Sequence, residues 1–321
     1  MVMKSVEEKA VLSPQVEARE RLRVALVQYV CEGGLSRDAF LQKVKALLTQ
    51  AVEQGARLVV FPELFTADLL PGGAHADLST PIGLADEISE WNRIIDQEVP
   101  AILESFQAMA REFEGVSVLF GSTPRRLPSG DIINSAPLAL SDGRYLLQDK
   151  LFVTPCEARE WKWKDGETLQ VIEAPWGRTV ILICHDIEVP GLSAQLVRVQ
   201  PDLILTPSCT GSLHGLRRVR FCAQARAVEH HAWVLQTSTI QPASGMGGVA
   251  TINMNEHTGQ AAIIPPSESL YEEFRKEGPL NEGAILVGEL DFRRTRKVRQ
   301  LPVVFPARDE RARKRMPEIQ F

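Results

Sequence analysis

Four side chains have the types and positions needed for nucleophilic chemistry. Glu63 directly follows the apolar run Val59-Val60-Phe61-Pro62, and Cys184 and Asp186 directly follow Val180-Ile181-Leu182-Ile183. Lys150 closes the stretch Gln148-Asp149-Lys150 that begins at Arg144. In open α/β sheets the carboxyl ends of strands line the functional crevice, so groups at separate strand ends can converge there. A free cysteine has a pKa of ~8.5 and is mostly thiol at neutral pH, so it needs a base or a neighbouring cation to become a nucleophile. Glu63 supplies a base. The Lys150 ammonium and the backbone N–H of His185 supply donors for a tetrahedral oxyanion. The ammonium also lowers the pKa of a buried Glu that desolvation raises, which couples the two groups.

Each residue also has a plainer reading. A strand-end cysteine is commonly a small buried hydrophobe, a lone Glu can cap a helical turn, and a lone Lys is usually solvated. The set carries the inference, not its members. His185 beside Cys184 suggests a Cys–His dyad, but neighbours on a strand point to opposite faces, which favours a pocket-lining or hydrogen-bonded histidine. His230-His231 do not share a helix face, and neither HExxH nor paired CxxC accompanies them, so no metal is expected. No dinucleotide signature appears: Gly245-Met246-Gly247-Gly248 lacks a strand-turn-helix setting.

The elements that must position these groups read as a mixed sheet. Arg23–Gln28 is a buried strand. A helix follows with Phe40, Leu41, Val44, Leu47, Leu48 and Val52 on one face, Gly55 ends it, and Leu58–Phe61 is the next strand. This β-α-β unit calls for parallel pairing. Leu69–Asp86, rich in Gly, Pro, Ala and Asp, reads as a loop, and Ile88–Phe113 as a helix interrupted near Pro100. After the strand Val116–Gly121 come a hairpin turning at Ser141-Asp142-Gly143 and the strands Thr179–Ile183, Leu203–Thr206 and Trp233–Gln236. A helix spans about Leu216–His231, and a second hairpin is expected around Glu256–Gly259.

Composition sets the class. A chain of 321 residues, 44% hydrophobic and 24% charged, suits one large α/β domain. It contains no membrane-length apolar run and its start lacks a signal-peptide core, so a cytoplasmic protein is expected. Five scattered cysteines cannot make a disulfide framework. Of these, Cys156 adjoins the Glu157 loop and Cys209 the end of a strand. The net charge of −5 hides a basic stretch: residues 292–321 carry ten Lys/Arg against three Asp/Glu. Without interleaved aromatics this reads as a solvated or subunit-docking tail, and no nucleic-acid or membrane partner is expected. The domains are then an extension at 1–22, a body at 23–290 and a tail at 291–321.

Phe61-Pro62-Glu63-Leu64-Phe65, Asn134-Ser135-Ala136 before Asp149-Lys150-Leu151, Ile183-Cys184-His185-Asp186-Ile187-Glu188-Val189-Pro190 and Arg220–Glu229 occur in this order. They resemble the blocks of the carbon-nitrogen hydrolase (nitrilase/amidase) superfamily, over about Arg23 to Leu290. The resemblance implies a four-layer α-β-β-α sandwich with mixed sheets, a catalytic triad of Glu63, Lys150 and Cys184, no metal or cofactor, and a homodimer or larger assembly. It also implies a second glutamate that positions substrate or water, for which Glu157 is the closer match and Glu160 the reserve; His185 joins it as a substrate-positioning candidate. The implied activity is hydrolysis of a small amide through a thioester, with nitriles or N-carbamoyl amino acids as alternative substrates and a non-catalytic binding or assembly protein as the rival of another class. Leu151-Phe152 after the lysine and His185 after the cysteine depart from the family's usual residues, which leaves the substrate open.

Overall fold

A computed structural model describes residues 20–70, 81–241, 257–266, 276–301 and 304–312. Strand β1 (Arg21–Val30) is buried on both faces. Its alternation splits two cores: Val24 and Leu26 face one, while Ala25, Val27 and Tyr29 face the other. Helix α1 (Arg37–Glu53) starts at Ser36, whose hydroxyl accepts the Ala39 N–H at 3.3 Å, and buries Phe40, Val44, Leu48 and Ala51 against the second core. Strands β2 (Leu58–Val60) and β3 (Ser117–Leu119) continue the parallel pairing from β1.

Two helices stand where one interrupted helix was expected, α2 (Pro81–Gln97) and α3 (Val99–Glu112). Pro100 lies in the first turn of α3, where its missing N–H costs nothing. The expected loop Leu69–Asp86 is shorter than composition suggested. Phe65–Leu69 forms a 3-10 turn and α2 begins at Pro81, while 71–80 lie outside the described residues.

Strands β4 (Thr123–Arg126), β5 (Ile132–Ala139) and β6 (Tyr145–Asp149) are antiparallel, with the expected Asp142-Gly143 turn between the last two. Gly143 has φ 92° and donates to the Leu140 carbonyl at 2.9 Å. After a short helix α4 (Pro155–Arg159) come β7 (Ile172–Ala174), β8 (Gly177–Ile181), α5 (Pro190–Val199), β9 (Leu203–Ser208), α6 (Leu213–His230) and β10 (Trp233–Ile240). The chain ends through β11 (Ala262–Ile264), β12 (Lys276–Glu277), β13 (Ala284–Asp291), α7 (Phe292–Gln300) and α8 (Pro306–Arg311). Glu256 of the second expected hairpin and Gly245–Gly248 lie outside the described residues; β11 pairs antiparallel with β10.

The strands run in the order β4-β5-β3-β2-β1-β10-β9-β8-β7, with β6 on β5, β13 on β1 and β11 on β10. The two halves of this mixed sheet join where Tyr29 and Val30 pair with Thr239 and Ile240. Leu26, Val60 and Leu138 of one half and Val180, Ile204 and Val234 of the other share one core. Helices α1–α3 cover the outer face of the first half, and α5 and α6 pack Leu196, Val219 and Ala223 on the second. The layers are thus α-β-β-α in a single domain.

The first part of the basic tail belongs to this body. Phe292 and Val298 of α7 are buried, and Thr295 accepts the Trp233 indole N–H at 3.1 Å. Arg296 donates to the Trp176 carbonyl at 2.8 Å, and Arg311 to that of Val197 at 2.9 Å. Arg299 meets the Asp202 carboxylate at 2.9 Å and also donates to the Pro201 and His231 carbonyls. These cations therefore satisfy carbonyls and an acid of their own chain.

Candidate active site

Glu63 sits three residues beyond β2, held there by packing on both sides. Phe61 and Phe65 enter an aromatic stack with Phe106 and Phe120, the last two ring centroids 4.4 Å apart. Glu63 bridges to Ser122 beyond β3, and the Leu64 N–H reaches the Ser122 carbonyl at 2.9 Å. Gly121 permits this approach: at φ 54° a Cβ there would overlap the Pro62 carbonyl. The Thr239 hydroxyl donates to the Glu63 backbone carbonyl at 2.5 Å, tying β2 to β10 where the half-sheets meet.

Lys150 follows β6, its backbone N–H bonded to the Asn134 carbonyl at 2.8 Å. Its ammonium lies 2.8 Å from Glu63 Oε1 and 2.8 and 2.7 Å from the two oxygens of Glu157. Glu157 occupies the third position of α4 in a capping box: the Thr154 N–H donates to Glu157 Oε2 at 2.6 Å, and the Glu157 N–H to the Thr154 hydroxyl. One oxygen therefore starts the helix and also holds the lysine. Thr154-Pro155-Cys156-Glu157 already carries this signal in the sequence. Glu160 ends the same helix. Asn134 Nδ2 donates to Glu63 Oε1 at 3.1 Å, a contact the sequence reading gave no role although Asn134 stood in a recognised block.

Cys184 is not on a strand. β8 ends at Ile181, and Cys184 opens a 3-10 turn (Cys184–Glu188) with φ 46°, a left-handed conformation costly for a residue with a Cβ. The premise of alternating strand faces therefore does not hold for Cys184 and His185. His185 instead turns to Glu188, 3.4 Å from Nδ1 to Oε1, and stays one-third exposed. That bond raises the imidazole pKa. Glu188 also takes Arg218 Nε at 2.6 Å. A different cysteine–histidine contact exists nearby. Cys209 Sγ lies 3.4 Å from His257 Nδ1, and the Cys209 carbonyl accepts from Cys184 Sγ at 3.6 Å. Burial pushes His257 down to about 4 and Cys209 up, so both are neutral near pH 7. His230 and His231 diverge: His230 meets the Ser193 hydroxyl at 3.1 Å, and His231 stacks on Phe305.

Glu63, Lys150, Glu157 and Cys184 are each no more than 5% exposed. Burial opposes the charge on Lys150, but Glu157 and Glu63 outweigh it and lift its pKa, so it stays an ammonium. Burial raises Cys184 and the Glu63 charge raises it further, against the pull of Lys150, so the resting side chain is a thiol. Burial raises Glu63 too, with Lys150 opposing and Glu157 reinforcing. A protonated thiol thus meets a carboxylate of raised basicity beside a fixed cation. Among the described residues no group of three His, Cys, Asp or Glu could hold a metal ion, and no helix is long and apolar enough to cross a membrane.

The carbon-nitrogen hydrolase family profile matches residues 23–300. The chain belongs to the carbon-nitrogen hydrolase family. The match includes β13 and α7, consistent with the packing of the tail's first helix. A probable hydrolase of Bacillus subtilis, YhcX, is 28% identical over 296 residues, covering 90% of this chain and 54% of the relative. A deaminated glutathione amidase of Yersinia enterocolitica is 25% identical and covers 68% of this chain and 73% of its own length. An aliphatic nitrilase of Sinorhizobium fredii is 29% identical over 48% of this chain and 49% of its own. The chain thus spans about half the length of YhcX and of the nitrilase. Among solved structures, an amidase from Nesterenkonia sp. superimposes with TM-score 0.67 at 20% identity, covering 92% of this chain and 95% of its own. Saccharomyces cerevisiae Nit3 gives TM-score 0.69 at 20% identity, covering 88% and 95%.

Proposed function

We propose that this carbon-nitrogen hydrolase is a cysteine-dependent amidase that releases ammonia or an amine from a small carboxamide through a thioester. The observation that carries the reading is one buried ammonium held by Glu63 and Glu157 beside the Cys184 thiol. Glu63 accepts the Cys184 proton as sulfur bonds to the carboxamide carbon and the C=O electron pair moves to oxygen. The Lys150 ammonium and the His185 N–H stabilise that oxyanion; N–H groups in the first turn of a helix lack intrahelical partners and are open to such a role. Glu157 grips Lys150 through both oxygens, so one N–H can turn to the oxyanion while the lysine stays held by two carboxylates. Collapse breaks the C–N bond, with Glu63 returning the proton to the leaving nitrogen. Glu63 then takes a proton from water, whose oxygen attacks the thioester, and the departing thiolate regains a proton.

The nitrilase relatives support a second reading, in which the same groups act on a nitrile. Parallel ammonia and CO2 assays on amides, nitriles and N-carbamoyl amino acids separate these substrates. Intact-mass analysis during turnover is expected to show an acyl adduct on Cys184. Ammonia release by Cys184→Ala would refute the mechanism, and no turnover on any panel would favour a binding or assembly role. Cytoplasmic residence and homo-oligomer formation complete the proposal; fractionation and light scattering test them.

A further inference from the structure

Asp186 is fully buried two residues after the nucleophile, and its carboxylate meets backbone N–H groups. One oxygen accepts the Phe152 N–H at 2.8 Å and the Leu151 N–H at 3.1 Å. The other accepts the Ile183 N–H at 3.0 Å and is 3.2 Å from Leu151 N. Ile183 immediately precedes Cys184, and Leu151 and Phe152 immediately follow Lys150. A single carboxylate thus clasps the chain just before the nucleophile to the chain just after the lysine. The turn itself adds the Asp186 N–H to the Ile183 carbonyl at 3.0 Å.

The chemistry of this clasp requires two acceptor oxygens. Three backbone donors from two segments converge on it, and a buried N–H left without an acceptor is costly. An asparagine of the same shape offers one oxygen and sets an NH2 group against the N–H groups on the other side. Burying a carboxylate here is itself unfavourable, and it is tolerated because every side facing the backbone meets a donor. Lys150 and Cys184 do not follow paired strands: β6 pairs with β5 and β8 with β7 and β9, on opposite sides of the β1–β10 junction. Their spacing needs a local tie.

We propose that Asp186 is a positioning residue that sets the working separation of the Lys150 ammonium and the Cys184 sulfur by bridging their backbones. This rests on the reading of Lys150 and Cys184 as catalytic. A reacting group displaced by about 1 Å can cost on the order of 10²-fold in rate.

The test uses the full chain carrying Asp186→Asn, with two readouts. The first is kcat per site that Cys184-specific labelling counts as intact. The second is the rate of Cys184 alkylation by iodoacetamide, followed by peptide mass mapping, which needs no amide substrate. With folding retained, D186N is expected to lose about 10²-fold in kcat per site with KM changed less than about threefold. Alkylation of Cys184 is expected to slow about tenfold as the ammonium moves away from the thiolate. A purely structural role would lower the number of intact sites and leave both rates per site at the wild-type level, which would overturn the proposal. Should D186N not fold, Asp186→Glu, which keeps both oxygens but moves them, is read the same way: a loss per intact site supports the clasp, and wild-type rates refute it. Activity in Cys184→Ala would instead refute the nucleophile assignment, while the alkylation rates would still report on Asp186.

Discussion

Two clusters of buried carboxylate and lysine stand out among the described residues, and they are built oppositely. Asp68 is fully buried and takes the Tyr29 hydroxyl at 2.6 Å, the Glu32 and Gly33 N–H groups at 2.8 and 2.7 Å, and the Lys43 ammonium at 2.8 Å. Four donors surround one acid, and Lys43 remains partly exposed. At the candidate active site the ratio is reversed: one wholly buried ammonium serves two acids, and the charge of one of them acts on the Cys184 thiol. Saturation makes the first arrangement a fixed brace for the turn after β1. In the second, Lys150 and Asn134 both donate to Oε1 of Glu63, which leaves its Oε2 to take a proton from a reacting group. A buried ion pair therefore identifies chemistry only when its hydrogen-bond inventory is incomplete.

Substitutions can break that contrast. Cys184→Ala is expected to lower kcat by about 10⁴-fold or more, with no acyl adduct by mass. Glu157→Gln leaves Lys150 with a neutral partner, and kcat is expected to fall by 10²- to 10³-fold, roughly the loss of an oriented oxyanion donor. At the brace, Asp68→Ala is expected to cost about 3–5 kcal/mol in denaturant unfolding while kcat per folded site stays unchanged, because the donors it strands, on Tyr29, Glu32, Gly33 and Lys43, make no hydrogen bond to Glu63, Lys150 or Cys184. Equal losses of activity at Asp68 and Glu157 would erase the distinction. Glu160→Gln, at the half-buried end of the same helix, is expected to change kcat less than about twofold; a loss comparable to Glu157→Gln would exchange their roles.

Titration sharpens the comparison further. Glu63 must be ionised to take the thiol proton, and its pKa is raised, so kcat/KM is expected to fall as pH drops through a value above the ordinary carboxylate range. Asp186 is pushed up to about 7, chiefly by burial. Its folded-state pKa exceeds its unfolded value, so ionising it inside the fold costs stability that the backbone N–H bonds only partly offset, and stability falls as pH rises from about 4 to about 7. Unfolding measured at pH 5 and pH 8 is expected to show this slope in the wild type and a shallower one in D186N.

Much of this was legible in the sequence. Apolar runs at Leu58–Phe61, Thr179–Ile183 and Trp233–Gln236 are strands because nothing else buries such short β-rich stretches, and the hairpin at Asp142-Gly143 follows from a turn that needs positive φ. The residues at the strand ends, Glu63, Lys150 and Cys184, were visible as a set for the same reason. The capping box of Thr154 and Glu157 was legible too, since Thr154 at the start of a helix selects the residue three positions on as its reciprocal cap.

The tertiary structure decided what depends on contacts between distant segments. Whether a basic stretch is a free arm or part of the body depends on carbonyls such as those of Pro201 and His231, about a hundred residues or fewer from Arg299 and silent in composition. The left-handed turn at Cys184 exists because Asp186 folds back to Ile183 and across to Leu151. Local pattern fixes which residues stand at the mouths of strands, because burial and periodicity act along the chain. Which proton each can take or give is set by the neighbours that two half-sheets bring together, because desolvation and charge act through space.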